Sequence, residues 1–383
     1  MTGLYLHIPF CIRRCVYCGF YLETMKGPIS QRLREADTVD HSPFLNALER
    51  ELSDLPNDFQ PSTVYIGGGT PTELSAKDFK RLLHVVEARI DLSKLEEWTV
   101  EANPGTCSEA IEDMLAESGV NRLSIGAQCF DDKRLEFLGR LHSAAETIEM
   151  VHRLRAKGFR NINLDLIINQ PNSRVEDLKR DVEILVELAP QHSSCYSMEY
   201  DAGTPLTKMR DQGFIQEVPE DMAVDQYHAL IDGMTSAGFR HYELFNFARP
   251  GFESRHNQNY WNAGEYFGCG PSACSHWQGA RWQNIANLGL YTQQIMTGKH
   301  PRVNQEQLDP VAKARETLMT GLRQTDGISE AWFEATCGMT LEACGGDALA
   351  RQIEWGSLIR EGGRIRLAPA AWLTSDQVFR DIL

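Results

Sequence analysis

Short apolar segments alternate with amphipathic helical segments through the first 240 residues of the chain. The apolar segments predict strands at 4–10, 63–67, 98–102, 122–127, 162–168 and 193–198. Between them, helical spacing predicts helices at about 43–55, 76–89, 108–118, 144–157 and 175–188. Such repeats are typical of a parallel sheet with helical crossovers, so six of them predict an α/β fold shaped as a partial (β/α)6 barrel.

Candidate site residues lie at or near the ends of the predicted strands. Cys11, the run Gly67-Gly68-Gly69-Thr70-Pro71, Glu101 and Gln128 come at the first four strand ends, Asp165 lies within the fifth strand, and the sixth carries Tyr196, Ser197 and Glu199. Because the chemistry of parallel α/β barrels is found at the carboxyl ends of the strands, these residues are predicted to share one site.

Each of these side chains has a functional and a purely structural interpretation. Glycines let a backbone approach a ligand closely, and they also form ordinary turns. Glu101 can hold a cationic ammonium group or lie exposed at a strand end. Arg140, in Leu138-Gly139-Arg140-Leu141-His142, can pair with a carboxylate or lie on a helix surface. Asp165 interrupts an apolar strand, so it faces either a ligand or a structural partner.

The rest of the chain predicts two smaller units. A helix at 223–237 and a strand at 240–247 precede His256-Asn257-Gln258-Asn259-Tyr260-Trp261, which is expected to be a binding loop or a packed turn. Helices near 312–321 and 348–361 and a hairpin at 358–367 predict a winged-helix-like α+β unit. We therefore expect a barrel at 1–237, an extension at 238–305 and a C-terminal domain at 306–383.

Composition narrows the classes of function. The 383 residues carry a formal net charge of −15, which argues against a broad nucleic-acid surface and against docking to anionic lipid. No apolar run approaches the roughly 20 residues of a membrane span, and no signal pattern opens the chain. Ten cysteines, three of them clustered, indicate a reducing compartment, and the cytoplasm is the expected location.

Three cysteines, Cys11, Cys15 and Cys18, follow the first predicted strand with the spacing C-x3-C-x2-C. Zinc, a disulfide and an iron–sulfur cluster are the alternatives. Structural zinc needs a fourth ligand, which is absent nearby, and a reducing compartment disfavours a disulfide. Three thiolates on a [4Fe–4S] cluster would leave one iron with an open position.

The string Y-x-H-I-P-F-C-x3-C-x2-C resembles the radical S-adenosylmethionine (SAM) superfamily, in the branch of oxygen-independent coproporphyrinogen III dehydrogenases and HemW haem chaperones. The motifs G-G-G-T-P, E-A-N-P, S-I-G-x-Q, L-G-R-x-H, N-L-D-L-I and H-N-x-x-Y-W occur in the order of that family. The resemblance implies a [4Fe–4S] cluster on the three cysteines, and SAM as a second cofactor. It places at the SAM site Tyr5, Tyr17, Gly68, Gly69, Thr70, Glu101, Gln128, Arg140 and Asp165.

The resemblance also implies haem as a ligand and a haem-accepting protein as a partner, and it is compatible with a homodimer. His256, which opens the H-N-x-x-Y-W motif, is the predicted ligand of haem iron, since imidazole is a usual axial ligand. Where the family reads G-A-H-S, this chain has Cys274 in place of the histidine, and His276 lies two residues on. Cys274 and His276 are therefore rival ligands.

Three functions are weighed on this resemblance: a haem chaperone, a coproporphyrinogen III dehydrogenase and a haem-ring-opening methyltransferase. The dehydrogenase pattern has a fourth cysteine at the position of Phe20 in this chain. The dehydrogenases also have a long segment before the first strand, whereas only four residues precede Tyr5 here. The dehydrogenase pattern lacks the H-N-x-x-Y-W motif. Gly19 matches the dehydrogenase, because the chaperones commonly have aspartate there. The haem chaperone is the favoured interpretation, and whether the protein is also an enzyme stays open.

Overall fold

The computed structural model describes residues 1–382, apart from the side chain of Asp37. Six parallel strands form the middle of a large sheet in chain order. They are β1 (Thr2–Ile8), β2 (Thr63–Gly68), β3 (Glu97–Ala102), β4 (Arg122–Gln128), β5 (Ile162–Ile168) and β6 (His192–Ser197). Each pairs in parallel with the next, which confirms the predicted α/β fold.

Helical crossovers join these strands. They are α1 (Ile29–Glu35) and α2 (Ser42–Ser53) after β1, α3 (Ala76–Arg89) after β2, α4 (Glu109–Glu117) after β3, α5 (Asp132–Leu138) and α6 (Ala144–Ala156) after β4, α7 (Val175–Leu188) after β5, and α8 (Pro205–Asp211) and α9 (Glu220–Ser236) after β6. Helix α3 begins where Ser75 Oγ accepts a hydrogen bond from Asp78 N, and Ser143 and Glu146 form a capping box on α6. Local caps therefore fix the starts of these predicted helices.

Further strands extend the sheet at both edges. Beside β6 lie β7 (Arg240–Glu243) and β8 (Asn246–Ala248), whereas β9 (Glu265–Cys269) pairs in parallel with β1 at the opposite edge and leads to β10 (Cys274–Trp277), β11 (Ala280–Asn284) and β12 (Arg302–Gln307). Helices α10 (Arg255–Trp261) and α11 (Leu288–Met296) lie in this part of the chain. One large core of buried side chains includes residues from β1 to β6 and from β9.

The C-terminal residues build a second core around Leu318, Phe333 and Ile365. Its elements are α12 (Pro310–Gly321), β13 (Ile328–Ser329), α13 (Glu330–Cys337), α14 (Leu341–Glu354), β14 (Leu358–Glu361), β15 (Arg364–Leu367) and α15 (Ser375–Ile382). The predicted hairpin turns at Gly362 and Gly363, which have φ of 59° and 71°, a conformation that glycine adopts without strain. The division into 1–237, 238–305 and 306–383 stays a prediction, because strands of the second segment continue the sheet of the first.

Two predicted elements differ from the structure. The single strand expected at 240–247 is two antiparallel strands, because Leu244 turns into the second core and its N–H donates to Arg323 O at 3.0 Å. The helix expected at 348–361 ends early, at Glu354, and the run Leu341–Glu354 that contains it is broken at Gly346, whose backbone is non-helical with φ of 48° and ψ of −137°.

The segment His256-Asn257-Gln258-Asn259-Tyr260-Trp261 is neither a loop nor a turn. It lies in α10, where Ser254 Oγ accepts a hydrogen bond from Asn257 N at 3.3 Å and starts the helix. His256 and Asn259, three residues apart, form its buried side.

No helix among residues 1–382 is long and apolar enough to cross a bilayer.

Candidate functional site

Residues 11–18, called the cluster loop below, leave the carboxyl end of β1 and carry the three clustered cysteines. The loop is held from several sides: Cys11 N donates to Glu23 O at 3.1 Å, and Ile12 N donates to the half-buried carboxylate of Glu73 at 2.6 Å. All three cysteines are half-buried and free of disulfides. Cys11 Sγ lies 3.4 Å from Thr70 Oγ1, so the glycine run of β2 reaches the loop.

The three thiols of the cluster loop are the kind of donor set that an iron–sulfur cluster takes. Among residues 1–382, no group of three or more histidine, cysteine, aspartate or glutamate side chains is placed to hold one metal ion. Three thiols on one short loop are the usual ligands of an iron–sulfur cluster, which spans more space than an ion. Arg140 Nη1 lies 3.6 Å from Cys15 Sγ and places a positive charge beside this sulfur.

The glycine run is pressed against the cluster loop. Gly68 has φ of 106°, and a Cβ atom there would lie 2.5 Å from His7 Nδ1. A Cβ atom on Gly69 would lie 2.5 Å from Phe10 O. Thr70 N donates to Phe10 O at 2.8 Å. The glycines are therefore required for close packing of two loops, whether or not they also approach a ligand.

Two carboxylates, Glu101 on β3 and Asp165 on β5, lie close enough inside the barrel for repulsion, and the positive charge of Arg122 only partly offsets the burial of Asp165. Glu101 accepts hydrogen bonds from Tyr65 OH at 2.7 Å and Gly68 N at 3.1 Å, and Asp165 accepts from Asn163 Nδ2 at 2.6 Å. Among the described residues, neither forms an ion pair with lysine or arginine. Burial raises the pKa of Glu101 to about 7 and that of Asp165 to about 6, and repulsion from Asp165 adds to the rise at Glu101. An interior of this kind fits a cationic ligand.

Arg140 is fixed by groups at three strand ends. Its Nη2 donates to Asn103 Oδ1 and, at 2.8 Å, to Gly126 O. Asn103 Nδ2 in turn donates to Thr70 Oγ1 at 2.7 Å. Arg140 Nε is buried with no hydrogen-bond partner in the part of the chain that the structure describes, so one donor remains for a ligand.

Gln128 ends β4 with φ of 67°, a left-handed conformation that is uncommon for a side-chain-bearing residue.

The structure thus brings Thr70, Gln128 and Arg140 together with Cys11 and Cys15. It adds residues that the sequence analysis did not assign: Asn103, Tyr65, Glu73 and Asn163. Asn103 was visible as the third residue of E-A-N-P. Asn163 was visible as the first residue of N-L-D-L-I. Tyr65 and Glu73 carry no sequence signal, because their role depends on which strands become neighbours.

The two predicted tyrosines have different surroundings. Tyr5, on β1, has its OH 3.0 Å from His7 Nδ1, and it also lines a cavity. Tyr17 packs into a small apolar cluster with Leu135 and Leu138. Burial raises the pKa of Tyr17 strongly, and Cys15 adds to that rise.

His256 lies apart from the cluster loop, in the core beneath α10. Its side chain is 1% exposed, and both ring nitrogens are hydrogen bonded: Nδ1 to Thr63 Oγ1 at 2.9 Å and Nε2 to Tyr260 OH at 2.8 Å. Burial lowers its pKa to about 3, so the ring is neutral. Haem ligation by His256 stays a prediction, and it requires the Tyr260 hydrogen bond to open.

An open cavity of 490 Å³ lies between residues 19–21, which follow the cluster loop, and the elements α10, β10 and α12. Its lining includes Tyr260, Trp261 and Tyr266, together with the rival ligands Cys274 and His276. Phe20, at the position of the fourth cysteine in the dehydrogenase pattern, also lines it and is 67% exposed. The cavity combines flat apolar walls with a few polar groups, as small-molecule sites do.

Comparison with known proteins agrees with this geometry. A model of the radical SAM superfamily matches residues 5–185, and a model of the HemN C-terminal domain matches residues 308–374. Coproporphyrinogen III oxidase (HemN) from Escherichia coli shares the fold, with a TM-score of 0.83 at 22% identity over 100% of this chain and 89% of that one.

Two relatives match from end to end. The heme chaperone HemW of Lactococcus lactis subsp. lactis (strain IL1403) is 34% identical over 382 residues, which cover 100% of this chain and 97% of that protein. The heme chaperone HemW of Bacillus subtilis (strain 168) is 32% identical over 383 residues, which cover 99% and 98%. This chain therefore belongs to the HemW family of the radical SAM superfamily.

Proposed function

We propose that the protein is a haem chaperone that carries a [4Fe–4S] cluster and SAM, binds haem and delivers it to an acceptor protein. The observation that carries this proposal is the open, aromatic-walled cavity beside the cluster loop, in a chain of the HemW family. Haem is the cargo in this proposal, whereas the cluster and SAM are resident groups.

Cys11, Cys15 and Cys18 would hold the cluster. When bound, a cluster with three thiolate ligands supplies one iron with an open coordination position. Thr70 and Arg140 contact two of the cysteines, so they hold the ligand loop in place.

The unpaired carboxylates support the SAM part of the proposal. Glu101 and Asp165 would hold the cationic ammonium and sulfonium end of SAM, which offsets their burial. The free Nε donor of Arg140 would face the carboxylate. Gln128, Gly68, Gly69 and the two tyrosines complete the set that the family resemblance assigns to this site.

The cavity supports haem binding. Porphyrin is a flat apolar macrocycle with carboxylates at one edge, and the cavity has tyrosine and tryptophan walls with Lys313 and Arg281 among its lining residues. Tyr5 contacts both regions, because it lines the cavity and also lies near Glu101. Haem would therefore lie close to the SAM site.

Delivery is tested by transfer kinetics. Haem-loaded protein, reconstituted anaerobically, is mixed with the apo form of a haem protein from the same cell, and the Soret band of the acceptor is followed. Apomyoglobin, a passive scavenger, gives the rate of simple haem release. Transfer faster than release is expected of a chaperone, whereas equal rates would contradict delivery. Loss of the Soret band on addition of SAM and reductant would instead indicate haem-ring opening.

A further inference from the structure

His276 is a second histidine that could bind haem iron in the cavity. This residue lies on β10, where side chains alternate between the two faces of the strand. Cys274 and His276 therefore share one face, and Ser275 points to the other. Ser275 Oγ accepts from Gly268 N at 2.9 Å on that opposite face. Both Cys274 and His276 line the cavity.

The hydrogen bonding of the ring fixes its tautomer. His276 Nδ1 lies 3.4 Å from Gly264 O, and because a carbonyl only accepts, Nδ1 must carry the proton. The neutral ring then has its lone pair on Nε2, for which no described residue provides a hydrogen bond. An imidazole whose other nitrogen donates to a backbone carbonyl is the usual arrangement of a metal-binding histidine.

His256 lacks this freedom. Its Nε2 is engaged by Tyr260 OH and its Nδ1 by Thr63 Oγ1, and the ring packs 5.2 Å from that of Tyr65. To reach a ligand in the cavity, the ring would have to leave the core and abandon a buried hydroxyl. Cys274 does line the cavity, but a thiol must lose a proton before it binds iron, whereas a neutral imidazole need not.

The opposite wall supplies a cation. Arg281 is already paired with Glu306 and Glu316, each at 2.7 Å. Lys313 is half-buried in the cavity wall, and it forms no ion pair with any residue in 1–382. A half-buried ammonium without a partner is stabilised by an anionic group of a ligand, such as a propionate.

We propose that His276, through Nε2, is the axial ligand of haem iron in this chain, and that Lys313 pairs with a haem propionate. This assignment rests on the haem binding proposed above, and it is an alternative to the predicted ligand His256. It follows that α10 acts as a wall of the haem site, in which His256 holds Tyr260 in place.

The test is a haem titration of reconstituted wild-type protein and of His276→Ala, His256→Ala, Cys274→Ser and Lys313→Gln, read by Soret absorption and EPR spin state. Cluster content checks that each variant is folded. We expect His276→Ala to lose the wild-type spectrum and at least about tenfold in affinity, because even an outer-shell partner of a metal ligand is worth 10–100-fold. Added imidazole should restore the spectrum. Cys274→Ser should keep it, and Lys313→Gln should keep it with weaker binding.

Three results would overturn different parts of these proposals. A wild-type spectrum in His276→Ala, with normal cluster content, removes His276 as the ligand and leaves haem binding intact. A folded His256→Ala that loses the spectrum, with rescue by imidazole, returns the role to His256. If wild-type protein shows no saturable haem binding, the proposed function itself fails.

Discussion

Replacing Asp165 with asparagine is expected to stabilise the ligand-free protein at alkaline pH. Asp165 accepts from Asn163 Nδ2 at 2.6 Å and from Ser124 Oγ at 3.3 Å. Asparagine can keep both contacts, because its oxygen accepts from Asn163 and its amide donates to Ser124. The substitution therefore removes a charge without leaving a buried polar group unpaired.

The magnitude follows from the pKa of Asp165. Burial raises this pKa from 3.8 to about 6, so the unfolded chain loses its proton at a lower pH than the folded chain. Stability is then lost as pH rises from about 4 to about 6, and the full penalty applies above this window. At about 1.36 kcal/mol per pKa unit it amounts to about 3 kcal/mol at pH 8 and about half of that at pH 5. Asp165 keeps some contact with water, so we expect a gain of roughly 2 kcal/mol at pH 8.

The assay is urea unfolding of wild-type protein and Asp165→Asn at pH 5 and pH 8, with the change in midpoint read at constant m-value. Asp347→Asn, at an exposed carboxylate of α14, is the matched control and should leave both midpoints unchanged. A destabilised Asp165→Asn, or a gain of equal size at both pH values, would refute the claim that a buried charge at Asp165 opposes folding. SAM affinity should fall in the same variant, since a counter-charge has been lost.

Three further predictions concern the cluster loop and its support. A triple alanine variant of the cluster-loop cysteines should bind no [4Fe–4S] cluster on anaerobic reconstitution, whereas wild type should bind about four irons and four sulfides, as the cluster type implies; iron and sulfide analysis decides this. Gly68→Ala should be more destabilising, by about 1–3 kcal/mol, than Gly158→Ala, because both glycines have positive φ but only Gly68 would meet His7; equal urea midpoints would contradict it. Asn103→Ala should weaken SAM binding in calorimetry, because Arg140 and Thr70 both lose their partner; unchanged affinity would exclude this role.

Much of the barrel could be predicted because its signals are local. The structure reproduces the predicted bounds of α3 and β5, since a serine cap marks the helix and an apolar run interrupted only by Asn163 and Asp165 marks the strand. Six strands with helical crossovers then leave few topologies, so the strand-end residues could be expected to meet.

Other features depend on contacts that a sequence does not display. The segment 240–248 turns at Leu244, although neither Leu244 nor Phe245 is a typical turn residue. The turn forms because the Leu244 side chain packs into the second, C-terminal core. The cap of α10, Ser254, lies two residues before the motif that drew attention, so a helix was read as a loop. That Thr63 and Tyr260 occupy the nitrogens of His256 follows only from the packing of α10 against β2.

The central claim, a haem carrier rather than a coproporphyrinogen dehydrogenase, is tested most directly by two assays on one anaerobically reconstituted sample. Haem is titrated into one part, and the other receives coproporphyrinogen III, SAM and reductant. We predict saturable binding of haem and no formation of protoporphyrinogen IX. Steady conversion of coproporphyrinogen III, at a rate typical of enzymes, with no saturable haem binding, would contradict the account.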